Sequence, residues 1–422
     1  MSRARKSKIV LLTGNSLCHN PRVLKAASAL ACAGHEVQVL GGWTDSKFKA
    51  RDRQLLESAP FKFVPVIDST LPGMSHDVAR FARRAGRRAV NEIYLRTGRQ
   101  SPLQLGFGIK RFFRLAFEIP ADLYVAHSEA GLYIASELAR SGKRVGVDME
   151  DWFSEDLLPE ARRYRPLALL RSLESKLLLK RNYASCPSRA MSGALADAYG
   201  CAPLTVVYNA FEWSERRALD GSVKDRRNKD IPSIHWFSTT LGHGRGLDKL
   251  LAAIPLLKYD VEIHLRGKPS VGFEAWVKTQ VPNRWRDRVF IHPVVRNDEL
   301  LARIVEHDIG FAGETKECLS RDLTITNKVL HYLLGGLAVV ASDTAGQKEV
   351  AEQAPGAVLL YAAENVRALA DVLNGLLGSP ERMRQAKAAA LQAAKETFCW
   401  ERQEAVLLEA FERTLRQPMA VG

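Results

Sequence analysis

The sequence predicts an α/β protein of two Rossmann-like domains facing a central cleft. Three observations predict it. Short apolar runs ending in polar tips alternate with helical stretches, as in parallel strands covered on both faces. The alternation occurs twice, on either side of a charged, aperiodic segment. The chain has 422 residues, enough to bury two separate cores.

"KIVLLTGNS" reads as a first buried strand that closes at Gly14. In "NPRVLKAASALACAGHEVQVLGG", Pro21 suits a helix's first turn. Val23, Ala27, Leu30 and Ala31 form one face, Gly34 stops the helix, and "HEVQVL" is the next strand. "ADLYVAHSE", "RVGVDME", "YASCPS" and "LTVVYNA" continue the strands, with helices at 128–142, 164–182 and 189–199 between them. Segment 73–118 stands apart, mixing arginines with Phe, Ile, Leu and Tyr. It has two readings: an amphipathic surface that rests on anionic lipid, and a helical insert whose arginines are simply solvated.

"SERRALDGSVKDRRNKDIP" lacks apolar periodicity and stops at Pro232, as a linker would. "SIHWFST", "VEIHLRG", "RVFIHP", "DIGFAG", "LAVVASD" and "AVLLY" then read as a second set of strands. The expected organisation is a first domain over 1–212, carrying the basic insert 73–118, and a linker over 213–232. A second domain follows over 233–397, and a C-terminal helix over 398–422 crosses back to the first.

The net charge of +14 favours anionic partners. No zinc-finger spacing, basic heptad or RNP-type motif is present, so nucleic acid is not an expected partner. Six scattered cysteines form no C-x-x-C pair, which argues against a metal knuckle or redox motif and suits a reducing cytoplasm. The opening apolar run is too short for a signal peptide, and no run approaches the roughly 20 residues of a membrane span. The expected location is cytoplasmic, with the lipid reading of 73–118 adding peripheral contact with the inner face of a membrane.

Ligands of such sheets bind outside the carboxyl ends of the strands, so the polar tips matter most. Gly14 lets backbone approach a ligand, or simply permits a tight turn. His127 sits just past a buried strand, and Asp148, Glu150 and Asp151 cluster at the next tip. Asp151 reads as a helix cap, and Glu150 stays open between a solvated charge and chemistry. Gly242, Gly244 and Gly246 flank His243 and Arg245 before a helix, a plausible diphosphate cradle, and Arg266 and Lys268 add cations at the following tip. In "LTITNKVLHYLLGGLAVVASD", Val329, Leu330, Leu333 and Leu334 form the apolar face of a helix beginning near Thr326. Thr324, Thr326, Asn327 and Lys328 gather at its N-terminus, where free amides suit an anion or a ribose, and His331 shares a side with Asn327.

Four of these stretches resemble a known family, in order along the chain. They are "NPRVLKAASALACAGHEVQVL", "VVYNAFEW", "NKVLHYLLGGLAVVASDTAGQKEV" and "FCWERQEAVLLEAF". They are similar to the family 4 glycosyltransferases, which have the two-domain GT-B fold. The resemblance implies transfer of a sugar from a nucleotide-sugar to a glycan, lipid-linked or secondary-metabolite acceptor. It implies retention of anomeric configuration, and neither a metal nor another cofactor. Arg245, with Arg266 or Lys268, would then neutralise the diphosphate leaving group. His127 would face the sugar and acceptor, and Glu314 would bind the donor sugar. His331 stands where the family carries a ribose-holding Glu. That departure motivates the alternative: a non-catalytic relative that binds nucleotide-sugar or assembles a glycan-synthesis complex.

Overall fold

The computed structural model describes residues 6–243 and 246–417. Gly244 and Arg245, both expected at the diphosphate cradle, lie outside the described residues. The chain divides into two compact units. One holds the described residues of Met1–Pro187, Ser192–Val207 and Glu404–Gly422, and the other those of Ser188–Met191 and Tyr208–Gln403.

The first unit is built on seven strands: β1 (Lys8–Leu12), β2 (Glu36–Trp43), β3 (Lys62–Asp68), β4 (Leu123–Ala126), β5 (Val145–Asp148), β6 (Tyr183–Cys186) and β7 (Thr205–Val206). They run parallel in the order β3-β2-β1-β4-β5-β6-β7. β4, β5 and β6 are buried at every residue, because helices cover both faces of the sheet. This is why they read as continuous apolar runs. β3 and the helix Ser46–Leu56 are not evident in the sequence. β3 contains Pro65, which argues against a central strand, but β3 is the sheet edge, where a missing N–H costs no ladder bond. The basic insert forms a helix over Met74–Thr97 and a second over Ile109–Glu118.

The second unit holds six parallel strands: β8 (Ser233–Leu241), β9 (Glu262–Pro269), β10 (Val289–His292), β11 (Ile309–Ala312), β12 (Ala338–Ser342) and β13 (Val358–Tyr361). Their order is β10-β9-β8-β11-β12-β13. Trp236, Leu250, Ile263, Phe311 and Val340 lie in its core. Segment 213–232 packs within this unit. The Lys224 and Asp225 amides donate to Glu306 at 2.8 and 2.7 Å, and those of Arg227 and Asn228 to Glu262 at 3.1 and 2.8 Å. Attachment through backbone amides leaves no apolar periodicity, so the segment resembles a linker in sequence. The C-terminal helix is Trp400–Arg416. Within the first unit its Phe411 ring lies 4.3 Å from that of Tyr183, and Thr414 Oγ1 donates to the Asn182 carbonyl at 3.2 Å.

Strand order reverses between β1 and β4 in one sheet and between β8 and β11 in the other. The ends of those strands are the topological switch points where open α/β sheets bind ligands. Among the described residues, no helix is long and apolar enough to cross a membrane.

Candidate functional site

In the first unit the strand ends enclose a cleft of about 480 Å³. Gly14 and Asn15 follow β1, His127 and Glu129 follow β4, and Glu150 and Asp151 follow β5, all lining it. Gly14 has φ 66°, and a Cβ there would stand 2.9 Å from the Phe112 ring. Its amide donates to the Leu40 carbonyl at 2.9 Å. Gly14 therefore shapes the wall of this cleft, and its amide is spent inside the sheet.

Behind the cleft-lining His127 lies a buried row of charged groups. His127 Nδ1 lies 3.3 Å from Asp148 Oδ2, and the same oxygen accepts Arg22 Nε at 2.7 Å. Arg22 also donates to the Val207 carbonyl. Burial works against a charged Asp148, but the Arg22 guanidinium and then His127 hold its carboxyl well below the usual range. His127 is 3% exposed, and neither of its ring nitrogens makes a hydrogen bond among the described residues. Glu150 is the opposite case. Burial, and next the charge of Asp151, push its carboxyl up to about 8, so it is protonated at neutral pH.

Sequence reasoning places His127 here and leaves Glu150 open, but it passes over Arg22. The signal was present. A cation in the first turn of Pro21–Cys32 opposes the helix dipole and needs a nearby anion.

In the second unit a polar group gathers at the ends of β8, β11 and β12. Gly246 has φ 73°, and a Cβ there would lie 2.8 Å from Gly313 Cα. The two glycines let the loop after β8 rest against the β11 tip. Beyond that tip, Glu314 accepts Lys328 Nζ at 2.6 Å and the Thr326 hydroxyl at 3.3 Å. The Glu314 amide donates to Ser342 Oγ at 2.8 Å, and Gln347 Nε2 donates to the same hydroxyl at 2.9 Å. Lys328 also stands 5.3 Å over the Trp236 ring. The helix Asn327–Gly335 starts here with no side-chain cap on its amides, because the Thr326 hydroxyl turns to Glu314. Asn327 is exposed beside it, and Lys268 is exposed at the end of β9. The structure thus brings Glu314, Thr326 and Lys328 together.

Two expected ligand residues are corrected. Arg266 is 3% exposed, is ion-paired to Asp225 and donates to the Pro293 carbonyl at 2.6 Å. It is a buried cation held inside the unit by these two partners. His331 packs its ring 3.5 Å from that of Phe211 and edge-on to Phe237 at 5.4 Å, with Nδ1 3.1 Å from the Asn327 carbonyl. Its half-buried ring thus packs against two aromatic side chains.

The Lys328–Glu314 pair is nearly buried, with side chains 6% and 13% exposed. Removing one partner leaves the other charge unpaired, which costs about 3–5 kcal/mol. Lys328→Met is therefore expected to lower the urea stability of the chain by roughly that amount. The double variant Lys328→Met with Glu314→Gln should recover most of it. Equal stability of wild type and Lys328→Met would show that the pair is solvated.

Residues 233–379 match the family model of the glycosyl transferases group 1. No curated protein matches the chain by sequence. Solved structures superpose over almost its whole length. A glycosyltransferase from Rickettsia africae is 13% identical with a TM-score of 0.66, covering 98% of this chain and 100% of that one. The Anabaena protein HepE, in complex with UDP and glucose, is 16% identical at a TM-score of 0.66, covering 96% and 99%. Sucrose-phosphate synthase from Thermosynechococcus elongatus is 14% identical at 0.65, covering 96% and 98%. The fold is that of the GT-B glycosyltransferase structures.

Proposed function

We propose, from the match of residues 233–379 to the group 1 glycosyltransferases, that this chain moves a sugar from a nucleotide-sugar to an acceptor hydroxyl. The observation that carries the reading is where that match falls. It contains the Glu314–Thr326–Lys328 group, at the switch-point end of a parallel sheet and at an uncapped helix N-terminus. In this reading Lys328, Lys268 and the helix amides meet the donor diphosphate. Glu314 takes a sugar hydroxyl once phosphate competes for Lys328. The first unit's cleft takes the acceptor. His127 Nε2 accepts the acceptor's hydroxyl proton in a hydrogen bond, and protonated Glu150 donates a hydrogen bond to a neighbouring oxygen. Lysine ammonium groups and helix amide dipoles supply the positive potential at the donor site, and the resemblance of the sequence implies transfer without a metal. It retains anomeric configuration, as the resemblance of the sequence implies.

The decisive experiment is a donor screen. The protein is incubated with a panel of nucleotide-sugars, with and without EDTA, and nucleotide release and product mass are followed. Turnover of at least one donor, unchanged by EDTA, is expected. Binding of a nucleoside diphosphate with no turnover of any donor would instead favour a non-catalytic binding or assembly protein.

A further inference from the structure

The first helix of the basic insert turns an apolar stripe outward. The helix Met74–Thr97 spans 24 residues and buries none of them. Its inward side is held by polar groups. Arg80 donates to the Ser69 carbonyl at 2.8 Å, Arg87 to the Gln104 carbonyl at 3.3 Å, and the Tyr94 hydroxyl to the Arg165 carbonyl at 3.0 Å. Gln104 Nε2 reaches Asn91 Oδ1 at 3.4 Å. The apolar side chains point the other way. Met74, Val78 and Phe81 are 84%, 65% and 74% exposed, and their i, i+4, i+7 spacing puts them on one stripe. A helix that only had to cover its own domain would present this stripe inward and its arginines outward. Here the stripe faces outward beside exposed arginines while Arg80 and Arg87 are spent on the inward side, so the stripe has another use.

The charge around the stripe identifies the occupant. Arg84 and Arg88 are exposed on its flank, one turn apart. Segment 73–118 carries ten Arg and Lys against three acids, a surplus of seven out of a whole-chain +14. About a ninth of the chain holds half its net charge. Another protein's apolar surface or a second copy of this helix would answer the stripe but not the arginines. A second copy would also bring like charges together. An anionic bilayer answers both, since apolar side chains enter the acyl boundary while guanidiniums meet lipid phosphates.

We propose that the outward face of Met74–Thr97, with Met74, Val78 and Phe81 inserted and Arg84 and Arg88 beside them, docks the chain on an anionic lipid surface. The cleft-lining Arg87 sits on the inward side of the same helix, so the docked helix also forms a wall of the cleft. Docking thereby holds the cleft at the bilayer, where a lipid-linked acceptor would lie.

The test is co-sedimentation of the full chain with phosphatidylcholine vesicles, with and without phosphatidylglycerol. Wild type should sediment with the anionic vesicles only, and less at high salt. The triple variant Met74→Ser, Val78→Ser, Phe81→Ser should bind them at least about tenfold more weakly. Arg84→Gln with Arg88→Gln should remove most of the preference for anionic over neutral lipid. These side chains are exposed, so thermal melts should match wild type, and a matching melt excludes unfolding as the cause of lost binding. Wild type left in the supernatant with both vesicles would overturn the proposal. So would a triple variant that sediments like wild type, or a wild-type dimer that the triple variant turns into a monomer. Nucleoside diphosphate binding, measured on the same variants without lipid, should not change. Failure of docking is thereby separable from failure of the proposed transfer.

Discussion

Acidification from pH 7 to pH 5 is expected to unfold the second unit well before the first. The cause is a ladder of histidines on β8, β9 and β10, with His307 from the segment before β11 among them. The His235 ring stacks on His307 at 4.7 Å, His307 lies 4.5 Å from His264, and His264 stacks on His292 at 5.2 Å. Glu262 faces His264 Nε2 at 3.1 Å, so His264 Nδ1 accepts from His292 Nε2 at 2.9 Å. Ser233 Oγ lies 3.1 Å from His307 Nδ1, while Asp225 lies 3.4 Å from His292 and is already paired with Arg266. Burial, followed by its neighbour His292, pushes His264 down to about 3. Burial also drives His235 and His307 well below the ordinary imidazole value, helped for His235 by Arg266 and for His307 by His235.

The sign follows from linkage. The folded unit keeps these rings neutral, and the unfolded chain protonates them below about 6.5. Their stability is fully present above that pH and is lost as pH falls toward the folded values. His264, held at about 3, forfeits about 2 kcal/mol between pH 7 and pH 5, and His235 and His307 add to the loss in the same direction. A domain holds only about 5–15 kcal/mol in total. Hydrogen exchange read on peptides of the second unit at the two pH values measures the effect. Equal opening free energies after correction for intrinsic exchange would disprove the ladder's role. His235→Leu sharpens the test. Both ring nitrogens of His235 are buried without a hydrogen-bond partner among the described residues, so the variant should hold its stability at pH 7 and lose less of it at pH 5.

Much of this fold was legible because parallel strands buried on both faces are continuous apolar runs, as in "KIVLL" and "AVVAS". The edge strand β3 was not, because Pro65 and its partial exposure break the pattern. At the candidate site, strand-end position singled out His127, since polar residues past buried runs sit at switch points, whereas Glu314 came from the family resemblance alone. Spacing alone did not separate Arg266 from Lys268. The two lie two residues apart, on the same side of β9, yet one meets Asp225 inside the unit and the other meets solvent. A partner 41 residues away in sequence decided that difference. His331 was conspicuous as a residue type, and its neighbours explain it. Against the rings of Phe211 and Phe237 an imidazole packs as an aromatic.

His127→Ala is expected to slow the proposed transfer by about 100-fold or more while leaving the first unit folded. The buried Arg22–Asp148 pair survives that substitution, so no charge is stranded. Asp148→Asn differs, because it leaves the buried Arg22 without its anion and should cost about 3–5 kcal/mol of stability as well as activity. Glu150 supplies a readout that a purely structural role would not move. Held protonated up to about 8 by burial and by Asp151, it can donate a hydrogen bond at neutral pH and cannot once ionised. The rate should therefore fall as pH rises through about 8. Glu150→Gln, which keeps a donor at all pH values, should retain activity at pH 7 and flatten that alkaline limb. The stability effect of Glu150 runs opposite to that of the histidines. A carboxyl raised in the folded state favours folding at low pH, and that contribution is lost as pH climbs toward 8, so Glu150→Gln should gain stability relative to wild type on the alkaline side. An unchanged alkaline limb in Glu150→Gln, with activity intact, would remove Glu150 from the chemistry and leave His127 alone at the floor of the cleft.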